Sequence, residues 1–102
     1  MKISTKQGII QFVVNGTRPG DFLQAVLRND LLEAVTRADS DNLRDLRDIT
    51  KFVYNCAPAK CWRTPEKVNG WIEAGGLKGQ GDTKGVTIFM EDVGDWVDEE
   101  PE

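Results

Sequence analysis

Apolar residues recur at helical spacing through the first three-quarters of the chain. Between Ser4 and Asn15, Ile9 and Val13 share a face, Ser4 with Gln7 fits a capping box, and Gly16 suits a C-terminal cap. A first helix is expected there, followed by a turn at GTRPG, residues 16–20. The clearest pattern comes next. Leu23, Val26, Leu27, Leu31, Ala34, Val35 and Ala38 fall on one helical stripe behind Asp21, a natural N-cap, so a second helix should begin at Asp21 and run until ADSDN interrupts it. Ser40 or Asp41 then caps a third helix whose buried stripe is Leu43, Leu46, Ile49, Thr50 and Val53. Its other face, Arg44, Asp45, Arg47, Asp48 and Lys51, alternates in sign and reads as a solvated surface. Pro58 breaks the pattern. Thr64 caps a fourth helix with Pro65 at its first position, Val68, Trp71 and Ile72 facing inward, and Gly75-Gly76 as its stop with Leu77 as the closing contact. Trp62 and Trp71 are expected in the core.

The texture changes at residue 77. GQGDTKG reads as a flexible loop or hairpin tip, and VTIF at 86–89 has strand composition. MEDVGDWVDEE forms a last helix, with Phe89, Val93, Trp96 and Val97 at i, i+4, i+7 and i+8. The expected fold is mainly α. A small four-helix bundle over 1–76 is followed, over 77–102, by a glycine-rich loop, a candidate short β-element and an acidic C-terminal helix packed on the bundle.

At 102 residues the chain is expected to form one domain, with ordinary apolar and charged fractions of 39% and 29%. It lacks an apolar run of membrane-span length and a signal-peptide core, so a cytoplasmic protein without a membrane partner is expected. Charge is more informative. The net −4 divides into +3 over residues 1–84 and −7 over residues 91–102. A segment that acidic steers toward basic surfaces, including those of nucleic-acid-binding proteins.

Catalytic signals are sparse. The chain has no histidine, the commonest general base near neutral pH. Cys56 and Cys61, four residues apart, do not form a C-x-x-C pair and have no histidine to complete a metal set. They read as two small buried thiols. DSDN at 39–42 fails as a calcium loop because Leu43 and Arg44 stand where a ligand and a glycine belong. Glycines 79, 81 and 85 do not make a phosphate loop. A thiol chemistry at Cys61, with Lys60 and Arg63 lowering its pKa, is the residual enzymatic option. No enzyme activity, cofactor, metal or small-molecule substrate is expected.

Two stretches carry resemblances. PG-x-FL-x-AVL at 19–27, RAD-x-x-N at 37–42, and YN…P…CW…PEKV at 54–68 resemble small uncharacterised proteins carried by phages and prophages. That resemblance implies a bacterial host and a small accessory protein that binds and redirects or inhibits a host or defence protein. TPEKVNGWIEAGGLKG…GVTIFMEDVGDWV, residues 64–97, is similar to the C-terminal half of excisionase and MerR-type winged helix domains, through Trp71, Ile72, Gly75, Leu77, Asp92 and Trp96. It implies that Arg63, Lys67 and Asn69 face a DNA major groove and that Lys78 and Lys84 flank a wing.

Protein contact is the first functional expectation. Phe89, Val93, Trp96 and Val97 form an apolar stripe in an acidic background that includes Asp92, Asp95, Asp98 and Glu99, suited to a basic-rimmed groove on a partner. The same stripe also suits packing on the protein's own body. DNA binding through Arg63, Lys67, Asn69, Lys78 and Lys84 is the alternative.

Overall fold

A computed structural model describes residues 1–98, and within them the chain is all helix and connection. The helices are α1 (Ile3–Asn15), α2 (Asp21–Leu27), α3 (Leu31–Arg37), α4 (Ser40–Arg44), α5 (Leu46–Cys56), α6 (Pro65–Ala74), α7 (Gly76–Gly79) and α8 (Thr83–Asp95). The mainly helical class is as expected. Eight shorter helices replace the four-helix bundle and its tail, and no strand occurs among the described residues.

The extra breaks have one recurring cause. Asn29, in the left-handed region at φ 63°, donates its N–H to the Val26 carbonyl at 3.0 Å, and Asp30 donates to Ala25 at 2.9 Å. Those two bonds make a Schellman stop. Asp30 then caps α3 by accepting from the Glu33 N–H. Residues 80–82 repeat the device. Gly81, at φ 72°, donates to Lys78 at 3.0 Å, Asp82 donates to Leu77 at 2.9 Å, and the Asp82 carboxylate accepts from the Gly85 N–H at 2.8 Å. GQGDTKG is therefore a helix stop joined to a helix start, and VTIF lies inside α8 rather than in a strand.

Other caps sit one or two residues from their expected places. Gly20 rather than Asp21 caps α2, Asp39 rather than Ser40 or Asp41 caps α4, and α1 begins beyond Lys2 without a side-chain cap from Ser4. Thr64 caps α6, with Pro65 at its first position. Gly16 and Gly75 close α1 and α6 in the left-handed conformation, as the glycine positions suggested.

Helix α1 runs through the centre. Ile9, Ile10, Phe12, Val13 and Val14 are all buried, so it is apolar around most of its circumference, which is the signature of an interior helix. Around it pack Leu23 and Leu27 of α2, Ile49, Phe52 and Val53 of α5, and Val68 and Trp71 of α6. Leu77 of α7 and Phe89 and Val93 of α8 belong to the same core, so the boundary drawn at 76/77 falls inside one packed unit.

The joint between α1 and α6–α7 is the tightest contact. The Trp71 indole N–H donates to the Phe12 and Val13 carbonyls, at 3.1 Å each, near the end of α1. Beside it the backbones of Gly16 and Gly76 touch, and a Cβ on Gly76 would stand 2.5 Å from the Gly16 nitrogen. The Gly-Gly stop is thus a site of backbone apposition as well as a cap.

The face expected to be solvated is partly buried. Asp45 and Asp48 lie beneath the Met1 ammonium at 3.7 and 3.3 Å, and Asp98 approaches it at 3.7 Å. Burial lowers the pKa of that amine. The hydrogen bond to Asp48 and the charges of Asp98 and Asp45 more than offset it, so the net pKa rises above 8.0. Arg44 pairs with Asp41 and Asp45. Leu43 and Thr50, placed on the buried stripe by periodicity, are exposed.

Two glycine substitutions separate conformational from steric demand. Gly76→Ala, at φ 69° and against the Gly16 backbone, should lower stability by more than about 2 kcal/mol in urea unfolding, because left-handed strain and a backbone clash add. Gly70→Ala in α6, where a Cβ meets nothing within 4 Å, should raise it by about 0.5–1 kcal/mol.

Candidate functional site

Helix α8 spends its apolar stripe on its own protein. Phe89 and Val93 are buried against the body, and the Trp96 ring stands edge-on to Phe52, with centroids 5.5 Å apart and planes at 70°. Burying a phenylalanine side chain contributes about 1.5–3 kcal/mol, so this face is held rather than offered. Phe89, Val93 and Trp96, expected at a partner contact, are thus placed against the protein's own body. Asp92 and Asp95 remain exposed on the outer face of α8. Asp98 accepts from the Trp96 Nε1–H at 3.0 Å and faces the Met1 amine, which ties the chain after α8 to the body. Glu99 lies outside the described residues.

The five residues of the DNA alternative are all exposed. Arg63 and Lys67 flank the N-terminal end of α6, and Asn69 follows within the same helix. Lys78 lies on α7 beyond the other end of α6, and Lys84 lies in the first turn of α8. Where a wing would need a strand, residues 83–95 are helical.

Periodicity missed a different surface. Leu31 and Val35, placed on a continuous buried stripe, are exposed because the stop at Asn29–Asp30 redirects α3. Leu31, Leu32 and Val35 are 65%, 81% and 43% exposed, one turn of apolar side chains turned outward. The legible signal was the Asn-Asp pair at 29–30, a left-handed stop joined to an N-cap.

Next to this face is a cleft of about 90 Å³ lined by Val26, Leu31, Ala34, Leu46, Val53 and Trp62, with Asn29, Asp30 and Thr50 at its polar positions. Trp62, expected in the core, is only partly buried. The Tyr54 ring meets it edge-on at 6.2 Å, and the Arg63 guanidinium lies over it at 4.9 Å. A second hollow of about 410 Å³ lies between the 56–60 connection, α7 and α8.

Neither thiol is activated. Cys61 is fully buried and donates to the Pro58 carbonyl at 3.0 Å, and burial pushes its pKa up to about 12. Lys60 and Arg63 do not reverse this. Cys56 is half-buried, and its pKa is raised by burial and then by Asp92. Among the described residues no group of three His, Cys, Asp or Glu side chains is placed to hold a metal ion, and no helix is long and apolar enough to cross a membrane.

Comparison with known proteins gives no further guide. No family model, no curated protein and no solved structure matches the chain.

Native-state alkylation followed by mass spectrometry should label Cys56 alone, and slowly, with Cys61 reacting only after urea is added. Labelling of Cys61 at the same rate with and without urea would contradict its burial.

Proposed function

We propose that this is a small non-enzymatic accessory protein of a phage or other mobile element, acting in the bacterial cytoplasm by binding a host or defence protein. The observation that carries this is the outward apolar turn of α3. Leu31, Leu32 and Val35 form a contiguous apolar group on a chain of modest size, the kind of patch that marks a protein-binding surface. The exposed acids of α8, Asp92 and Asp95, supply a second element, since a negative face accelerates encounter with a basic partner. The likeness of residues 22–72 to small phage proteins supplies the genetic setting.

The alternative is excisionase-like DNA contact through Arg63, Lys67, Asn69, Lys78 and Lys84. Their exposure favours it. The helical course of residues 83–95 and the acidity of the closing segment weigh against it.

Affinity capture from bacterial lysate, with the wild type beside a Leu31→Ser/Leu32→Ser variant, tests the choice. Both side chains are exposed, so the variant should keep its helical circular dichroism. The wild type should retain a discrete protein and the variant should bind it at least about tenfold more weakly. Equal capture by both would remove α3 as the contact. Retention of duplex DNA that is lost in a Lys67→Ala/Lys78→Ala variant would favour the alternative.

A further inference from the structure

The run Arg44, Asp45, Arg47, Asp48 and Lys51 alternates in sign, and the fold sorts it. Asp45 and Asp48 turn inward beneath the Met1 amine, and Arg44 takes Asp41 and Asp45. Arg47, Lys51 and Tyr54 are left on the side of α5 opposite Ile49, Phe52 and Val53, at i, i+4 and i+7 of one helical stripe. Over residues 46–67 the charges that are not buried are five cations, Arg47, Lys51, Lys60, Arg63 and Lys67, and one acid, Glu66. A chain of net charge −4 thus carries a local basic strip.

Aromatic rings continue the strip. Tyr54 is 67% exposed and meets Trp62 edge-on at 6.2 Å, and the Arg63 guanidinium lies over the Trp62 ring at 4.9 Å. The Arg63 N–H bonds the Leu27 carbonyl at 2.7 Å, which anchors this turn to α2. A tyrosine ring and a guanidinium seated on an indole are both flat surfaces of the kind on which bases stack. Asp30, which lines the cleft beside Trp62, is engaged as the cap of α3.

Cations alternating with stacking faces suit a ligand that itself alternates phosphates with planar bases. An acidic peptide would use the cations alone. A duplex keeps its bases stacked inside and would leave the Tyr54 ring idle.

We infer that the outer face of α5, continued through Trp62 and Arg63, binds single-stranded nucleic acid. One base stacks on Tyr54, another on the Arg63 guanidinium, and the phosphates are drawn to Arg47 and Lys51. This is a function beyond the α3 contact proposed above. It also differs from the excisionase-like alternative, in which a duplex meets Lys67, Asn69, Lys78 and Lys84.

Fluorescence anisotropy tests this on the full chain, with fluorescein-labelled oligothymidylate and oligouridylate of about 15 nucleotides at about 50 mM salt. At least one strand should bind saturably, the tighter of the two naming the sugar. A duplex of the same length and polyglutamate should both compete less well than unlabelled single strand. Tyr54→Ala should weaken binding about tenfold through loss of a stacked base. Arg47→Ala should reduce the salt slope by about 0.7, the share of one phosphate contact on a single strand. Both side chains are exposed, so both variants should keep the circular dichroism of the wild type. Lys78→Ala, on α7, should change neither affinity nor slope. The site is overturned by no anisotropy change at about 100 μM protein, the weak end of nonspecific binding, or by Tyr54→Ala binding as tightly as the wild type. Competition by duplex or polyglutamate as strong as by single strand overturns it too. None of these outcomes bears on capture through α3.

Discussion

The end of α1 is clamped where the Trp71 indole reaches its carbonyls and Gly16 lies backbone-to-backbone against Gly76. The elements from α6 onward follow from this joint. It sets where α6 lies, and α7 follows α6 with only Gly75 between them. Leu77 then enters the core beside α1, and Asp82 launches α8 back across α5. Two features make the approach workable. Both glycines have positive φ, and neither carries a Cβ that would hold the chains apart. The tryptophan supplies a single donor shared by two carbonyls, so the contact is hydrogen-bonded as well as close.

Much of this was legible in the sequence, because caps and glycines have local causes. Gly16, Thr64-Pro65 and Gly75 act where their chemistry places them. Periodicity was less reliable at the breaks. It carried one stripe from Leu23 to Ala38 although Asn29-Asp30 interrupts it, whereas GQGDTKG reads as a loop although Gly81-Asp82 joins one helix to the next. In both places a left-handed stop shares its last residue with the next helix cap, leaving no loop to mark the change. The strand composition of VTIF yielded to tertiary context: within α8, Phe89 fills the core while Thr87 and Ile88 remain outside. The role of Asp45 and Asp48 beneath the Met1 amine was invisible, since that contact joins residues far apart in sequence.

The exposed surfaces follow from the same packing. Helix α8 turns Phe89 and Val93 inward and leaves Ile88 and Met90 outside beside Asp92 and Asp95, while α3 exposes Leu31, Leu32 and Val35 next to the cleft.

The central claim is that residues 83–95 form a helix docked through its apolar face onto α5. Solution NMR of the full chain reads it directly, from Cα shifts along this segment and nuclear Overhauser contacts between the Phe52 and Trp96 rings. The structure predicts helical shifts through Val86–Phe89 together with cross-peaks between the two rings, whose centroids lie 5.5 Å apart. Extended shifts at Val86–Phe89, or a Trp96 ring without contact to Phe52, would contradict it and return the segment to a wing or a free acidic arm.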